Sequence, residues 1–94
     1  MRIILSIAAL CLLAATPAWA NTNHLTQFAY AQGIGRDTAH DNAHAQADGI
    51  MRIACVAVGG TLQNEVEDSA SYAFFGRDLW GANVLLEADC VTND

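Results

Sequence analysis

The segment Arg36–Val58, RDTAHDNAHAQADGIMRIACVAV, constrains the fold more than any other part of the chain. It is the one long stretch with a helical apolar pattern, and it carries a cysteine. With successive side chains 100° apart, Ala39, Ala43, Ala47, Ile50, Ala54 and Ala57 fall on one face. Ile53 borders that face on one side, Met51 and Val58 on the other, and Gln46 sits at its edge. Asp37, Asp41, His44, Asp48 and Arg52 fall opposite. Asp37 or Thr38 suits an N-cap, and Gly59-Gly60 suits a stop. A face this rich in alanine lets a sheet come close but buries little area per residue. Gly49 interrupts the pattern at about 1 kcal/mol relative to alanine, so residues 50–58 also read as a buried strand. One continuous helix is the expectation. Cys55 falls near the polar side of the wheel.

The first twenty residues read as a secretory leader rather than as part of the fold. Arg2 supplies a short positive start, Ile3 to Ala15 an apolar run, and Ala18-Trp19-Ala20 the small residues of a cleavage site. The run is shorter than the roughly 20 residues that span a bilayer. The expected division is therefore a signal peptide at 1–20 and one small domain at 21–94, periplasmic or secreted from a bacterium, with no membrane insertion once the leader is gone. A domain this short has a thin core. The chain has 94 residues and a formal net charge of −6. Loss of Arg2 makes it one unit more acidic, and it has no lysine. Such a balance argues against nucleic acid and anionic membranes and favours a basic partner.

Removing the leader also removes Cys11 and leaves Cys55 and Cys90. In an oxidising compartment they are expected to form a disulfide between the helix and the last strand. Closing such a loop stabilises by roughly 3 to 4 kcal/mol. They lack the close spacing of a redox or zinc pair.

Around the helix the chain reads as strands. In Thr26–Ile34, Phe28, Tyr30 and Ile34 alternate with Ala29, Ala31 and Gly33. If the small side faces the helix, Phe28 and Tyr30 need another cover, such as a second subunit; if the large side faces it, a monomer suffices. In Thr61–Glu67, Leu62 and Val66 share one side and Gln63, Glu65 and Glu67 the other, with Asp68 and Ser69 starting a turn. In Ala82–Thr92, Ala82, Val84, Leu86, Ala88 and Cys90 belong inside, while Leu85 and Val91 dilute the outer side, so both sides of this strand are partly covered. The expected fold is α+β: a small single-layer antiparallel or mixed sheet, one amphipathic helix packed on it in β-α-β-β order, and one disulfide. This order resembles that of several small bacterial envelope domains, with no residue motif to carry a function across.

The segment Ser71–Gly81 concentrates large rings and reads either as a strand or as a recognition loop. Tyr72, Phe74, Phe75, Arg77 and Trp80 are the candidate partner-binding residues, because aromatic residues and arginine dominate binding hot spots. The same rings could instead complete the core. His40 and His44 are four apart with Asp41 and Asp48 nearby, and His24 precedes them, but no HExxH glutamate is present, so no metal or other cofactor is expected. His44 with Asp41 or Asp48, and Glu65 with Glu67, lack a placed nucleophile or pocket, so no catalytic residue is assigned and no enzyme activity is expected. Two readings remain: a binding or inhibitory module for a basic protein, or an envelope component that forms homo-oligomers.

Overall fold

The computed structural model describes residues 20–93, so nearly all of the expected signal peptide lies outside the described residues. Four elements follow in order: β1 (Ala20–Ile34), α1 (Arg36–Ala57), β2 (Thr61–Gly76) and β3 (Leu79–Asn93). The fold is the expected α+β domain, one three-stranded antiparallel sheet with one helix and one disulfide. Strand order is β1-β3-β2. β1 and β2 are each antiparallel to β3, hence parallel to each other, and α1 carries the chain between them. The last strand is thus central, which explains why its outer residues Leu85, Glu87, Asp89 and Val91 are only partly exposed.

Residues 36–57 form one helix, not a helix and a strand. The sequence reading of its buried face needs correction. Ala39, Ala43, Ala47, Met51 and Cys55 are the buried residues, while Ile50, Ala54 and Ala57 are exposed. The two versions agree over the first three alanines and then part. A fixed wheel assumes a face parallel to the helix axis. The real contact follows every fourth residue, an i±4 ridge inclined about 26° to the axis. Sixteen residues along that ridge, Cys55 has come round to meet the sheet, and its apparent place near the polar side was an effect of the straight wheel.

Both helix ends are set by backbone groups. The N-cap is Gly35, with no side-chain cap, and neither Asp37 nor Thr38 takes that role. The Ala39 N–H donates to the Gly35 carbonyl, and Gly35 N–H donates to Asp78 of the β2–β3 turn. Asp37 instead lies in the first turn, where its charge suits the positive helix end. At the other end, Gly59 N–H donates to the Val56 carbonyl and Gly60 N–H to that of Cys55, a Schellman closure with Gly59 in the left-handed region.

The core between α1 and the sheet is built of small residues. Ala39, Ala43 and Ala47 meet Ala29, Ala82, Val84, Leu86 and Ala88, with Met51 the largest helix contribution. At Gly33 the approach is closest: an added Cβ would lie 2.8 Å from the Ala39 nitrogen. Cys55 and Cys90 form the disulfide across 35 residues of sequence, with Cα atoms 5.6 Å apart. Gly60 leaves room for it, since a Cβ there would collide with both sulfurs.

β2 also departs from the sequence reading. It runs unbroken from Thr61 to Gly76, so Asp68-Ser69 is not a turn. Its register against β3 slips between Gln63 and Val66, between Glu67 and Ser69, and between Phe74 and Gly76. The first irregularity includes Asn64, at φ 57°. One inserted residue flips the alternation. Leu62 pairs with Cys90 on the helix side, whereas Val66 pairs with Glu87 on the open side, so the two do not share a face. Glu67 pairs with Leu86 and, like Glu65, faces the helix instead of open water. The turn itself is two residues, Arg77 and Asp78, both at positive φ. That is the I′-type geometry which matches strand twist.

Candidate functional site

The helix covers the β1 and β3 part of one side of the sheet, leaving Tyr72 and Phe74 of β2 exposed on that side, and nothing among the described residues covers the other side. On β1 the small residues turn to the helix: Ala29 is buried while Phe28, Tyr30 and Ile34 stand on the open side. This settles the two alternatives for Thr26–Ile34 in favour of two small-residue surfaces meeting. Register extends the open side across the sheet. Phe28 lies opposite Leu85, and Leu85 opposite Ser69; Tyr30 lies opposite Asn83, and Ile34 opposite Leu79. Phe28 is 64 % exposed, Ile34 64 %, Phe75 54 % and Tyr30 45 %.

Gly81 ties this patch together. A Cβ on Gly81 would lie 2.5 Å from Tyr30 Oη and 2.8 Å from a Phe75 ring carbon, so rings from both edge strands close over the central strand at that point. An aromatic ring over a sheet glycine protects the backbone that a side chain would otherwise cover. Gln32 Nε2 donates to Tyr30 Oη at 3.1 Å and fixes that ring.

The far end of the same face is ionic. His24 Nε2 lies 2.7 Å from Glu87 Oε1, and Nδ1 lies 3.3 Å from Asp89 Oδ1. Both partners are acceptors, so the arrangement needs a proton on each ring nitrogen. The bonds to Glu87 and then Asp89 raise the His24 pKa above its ordinary value. Asn64 and then His24 hold Asp89 down, while Asp68, against Glu87, is pushed up.

The five candidate residues of the aromatic segment do not form one surface. Phe75 joins the open patch. Tyr72 and Phe74 pair with Ala82 and Trp80 on the helix side, and Arg77 sits in the turn. Trp80 packs against the core with its ring 5.0 Å from Phe74. The Arg36 guanidinium lies over the Tyr72 ring at 5.4 Å, and His40 is 6.3 Å from it. The segment is therefore two strand arms and a turn, with rings alternating between faces. The sequence had flagged Phe28 and Tyr30 as needing cover. What it did not show was that Phe75 and Leu85 join them, because that depends on pairing across the sheet.

The histidines of α1 serve its contact with β2. His40 Nε2 lies 2.6 Å from Glu67 Oε1 and Nδ1 lies 3.3 Å from Asp41 Oδ1, again two acceptors, and its pKa is raised by Glu67 first. His44 stacks beside it at 6.0 Å. Two turns on from His44, Arg52 Nε donates to both oxygens of Asp48 at 3.0 Å and Nη2 lies 3.8 Å from Glu65. Burial first, and then contact with Asp48, raises the Glu65 pKa, while Asp48 is lowered by Glu65 and Arg52. Among the described residues no group of three or more potential ligands is arranged to hold a metal, and no helix is long and apolar enough to cross a membrane. Comparison with family models, curated proteins and solved structures finds no match for this chain.

Proposed function

We propose that this chain is a small exported binding module that acts by contact rather than by catalysis, through the open face of its sheet. The supporting observation is the set of apolar side chains Phe28, Tyr30, Ile34, Phe75 and Leu85 on the side of the sheet that α1 does not touch. Exposed apolar patches of this kind on small proteins mark interaction surfaces. The acidic end of the face, with Asp68, Glu87 and Asp89, gives the partner a sign: a basic protein with an apolar centre. This replaces the aromatic-segment surface with one that shares only Phe75. Immobilised mature protein should retain a basic envelope protein that high salt releases, and a Phe28→Ser, Phe75→Ser variant should not retain it. Equal capture by the variant would reject the open face as the binding surface. The second reading, self-association within the envelope, is favoured by the same exposure of Phe28 and Tyr30.

A further inference from the structure

The two edges of the sheet are unlike. β2 is interrupted three times in its pairing and carries Glu65, Glu67 and Asp68. Bulges and charges are the devices that keep an edge from pairing with another chain. β1 has neither. Its register runs from Ala20 opposite Asn93 to Ile34 opposite Leu79 without a shift, and Ala20–Ile34 contains no Asp, Glu, Lys, Arg or Pro. The amides of Gln27 and Asn42 donate to the carbonyls of Phe28 and Gln32, a role that a neighbouring strand's N–H would otherwise take.

The helix repeats the contrast. His40 and Arg52 reach β2, and with Arg36, His44 and Asp48 they form one i+4 row. Asn42 reaches β1, and its row is Thr38, Asn42, Gln46, Ile50 and Ala54, without a charge. Ile50 is 44 % exposed and the neighbouring Ile53 73 %. Ile50 thus places an apolar side chain on the flank above the edge that carries no acid.

We infer that β1 pairs antiparallel with β1 of a second copy, making a six-stranded sheet with the two helices side by side on one face. This locates the contact that the self-association reading requires and rests on that reading; it is separate from the open-face surface. Charge selects the occupant. The chain is strongly acidic, so a copy can approach only where its own acids are absent, and β1 with its helical flank is that place. A basic partner would gain nothing there. Geometry agrees. Strands pair about 4.8 Å apart. A helix seated over β1 and β3 would therefore lie about 10 Å from its mate, close to the 8–10 Å of packed helices.

Light scattering on the oxidised mature chain tests this. Twice the monomer mass is expected at micromolar concentration. An Ile50→Glu, Ile53→Glu variant should weaken the dimer by about a hundredfold or more. Val56→Glu, an equally exposed apolar site on the other flank, should leave it intact. All three positions are exposed in the monomer, and an unchanged circular dichroism spectrum and disulfide would show the variants folded. Amide exchange across β1 should slow with rising concentration. A wild-type chain that stays monomeric overturns both the inference and the self-association reading. A dimer that survives Ile50→Glu, Ile53→Glu but is lost in Phe75→Ser overturns this location and leaves self-association through the open face.

Discussion

α1 meets β1 and β2 by different means, and the difference shows how an alanine-lined helix is held. On the β1 side the contact is close and uncharged: Gly33 under Ala39, and Ala29 in the core. On the β2 side it is long-range and ionic, through His40 to Glu67 and through Asp48 and Arg52 to Glu65. Close packing reaches β2 at Leu62 but not along its length, because the helix lies over β1 and β3. Long polar side chains bridge the remaining gap and keep that edge wet. The two sides should therefore respond to different perturbations, one to volume and the other to protons.

The largest expected effect is common to both. Cys90→Ser removes the bridge over 35 residues and should cost about 4 kcal/mol. In a urea melt of the reduced or mutant chain, a stability unchanged within error would show that packing alone seats the helix. Next come volume changes on the β1 side. Gly33→Val should cost about 3 kcal/mol and Ala43→Leu about 2 kcal/mol, since the first forces a side chain against backbone and the second overfills a site with no exposure. A β2-side change of similar size, Val56→Leu, should stay within about 0.5 kcal/mol because that position is exposed. Equal costs on both sides would erase the distinction between a packed side and a wet one.

The element order, the disulfide and the inner set of β3 were legible in the sequence because each depends on local pattern or on cysteine number alone. Three features were not. The helix stripe after Ala47 follows a ridge set by the angle between helix and sheet, which a straight wheel does not contain. The faces of Val66, Glu65 and Glu67 depend on a bulge that includes Asn64, and alternation counted without it puts Val66 beside Leu62. The candidate surface joins residues 28, 30, 75 and 85 through register, whereas Tyr72 and Trp80 of the aromatic stretch lie on the opposite face.

Proton effects should be smaller, on the β2 side through His40 and between β1 and β3 through His24. His40 has a raised pKa in the fold through Glu67 and Asp41, and His24 through Glu87 and Asp89. A group raised on folding contributes fully below the unfolded value of about 6.5 and loses that contribution as pH rises through the folded value. Wild-type protein should thus melt higher at pH 6 than at pH 8. His40→Asn with His24→Asn should flatten that window, and a difference of the same size in the double variant would assign it to other groups.

The smallest effect tests whether the buried end of that ionic side stabilises at all. Glu65 has a buried oxygen, Oε2, without a hydrogen-bond partner, and it contacts Asp48, so the two carboxyls compete for one proton. Its pKa is raised, so its contribution is present below about 4.5 and lost as pH rises, whereas Asp48, lowered, contributes above about 3.8. Near neutral pH the Glu65 charge therefore opposes folding, and Arg52 at 3.8 Å offsets only part of this. Glu65→Gln keeps the shape, donates to Asp48 and removes the charge. It should raise stability near pH 7 by a few tenths to about 1 kcal/mol. A loss instead would mean that the Arg52 contact outweighs the repulsion, and that β2 is held by attraction where the geometry shows mainly crowding of acids.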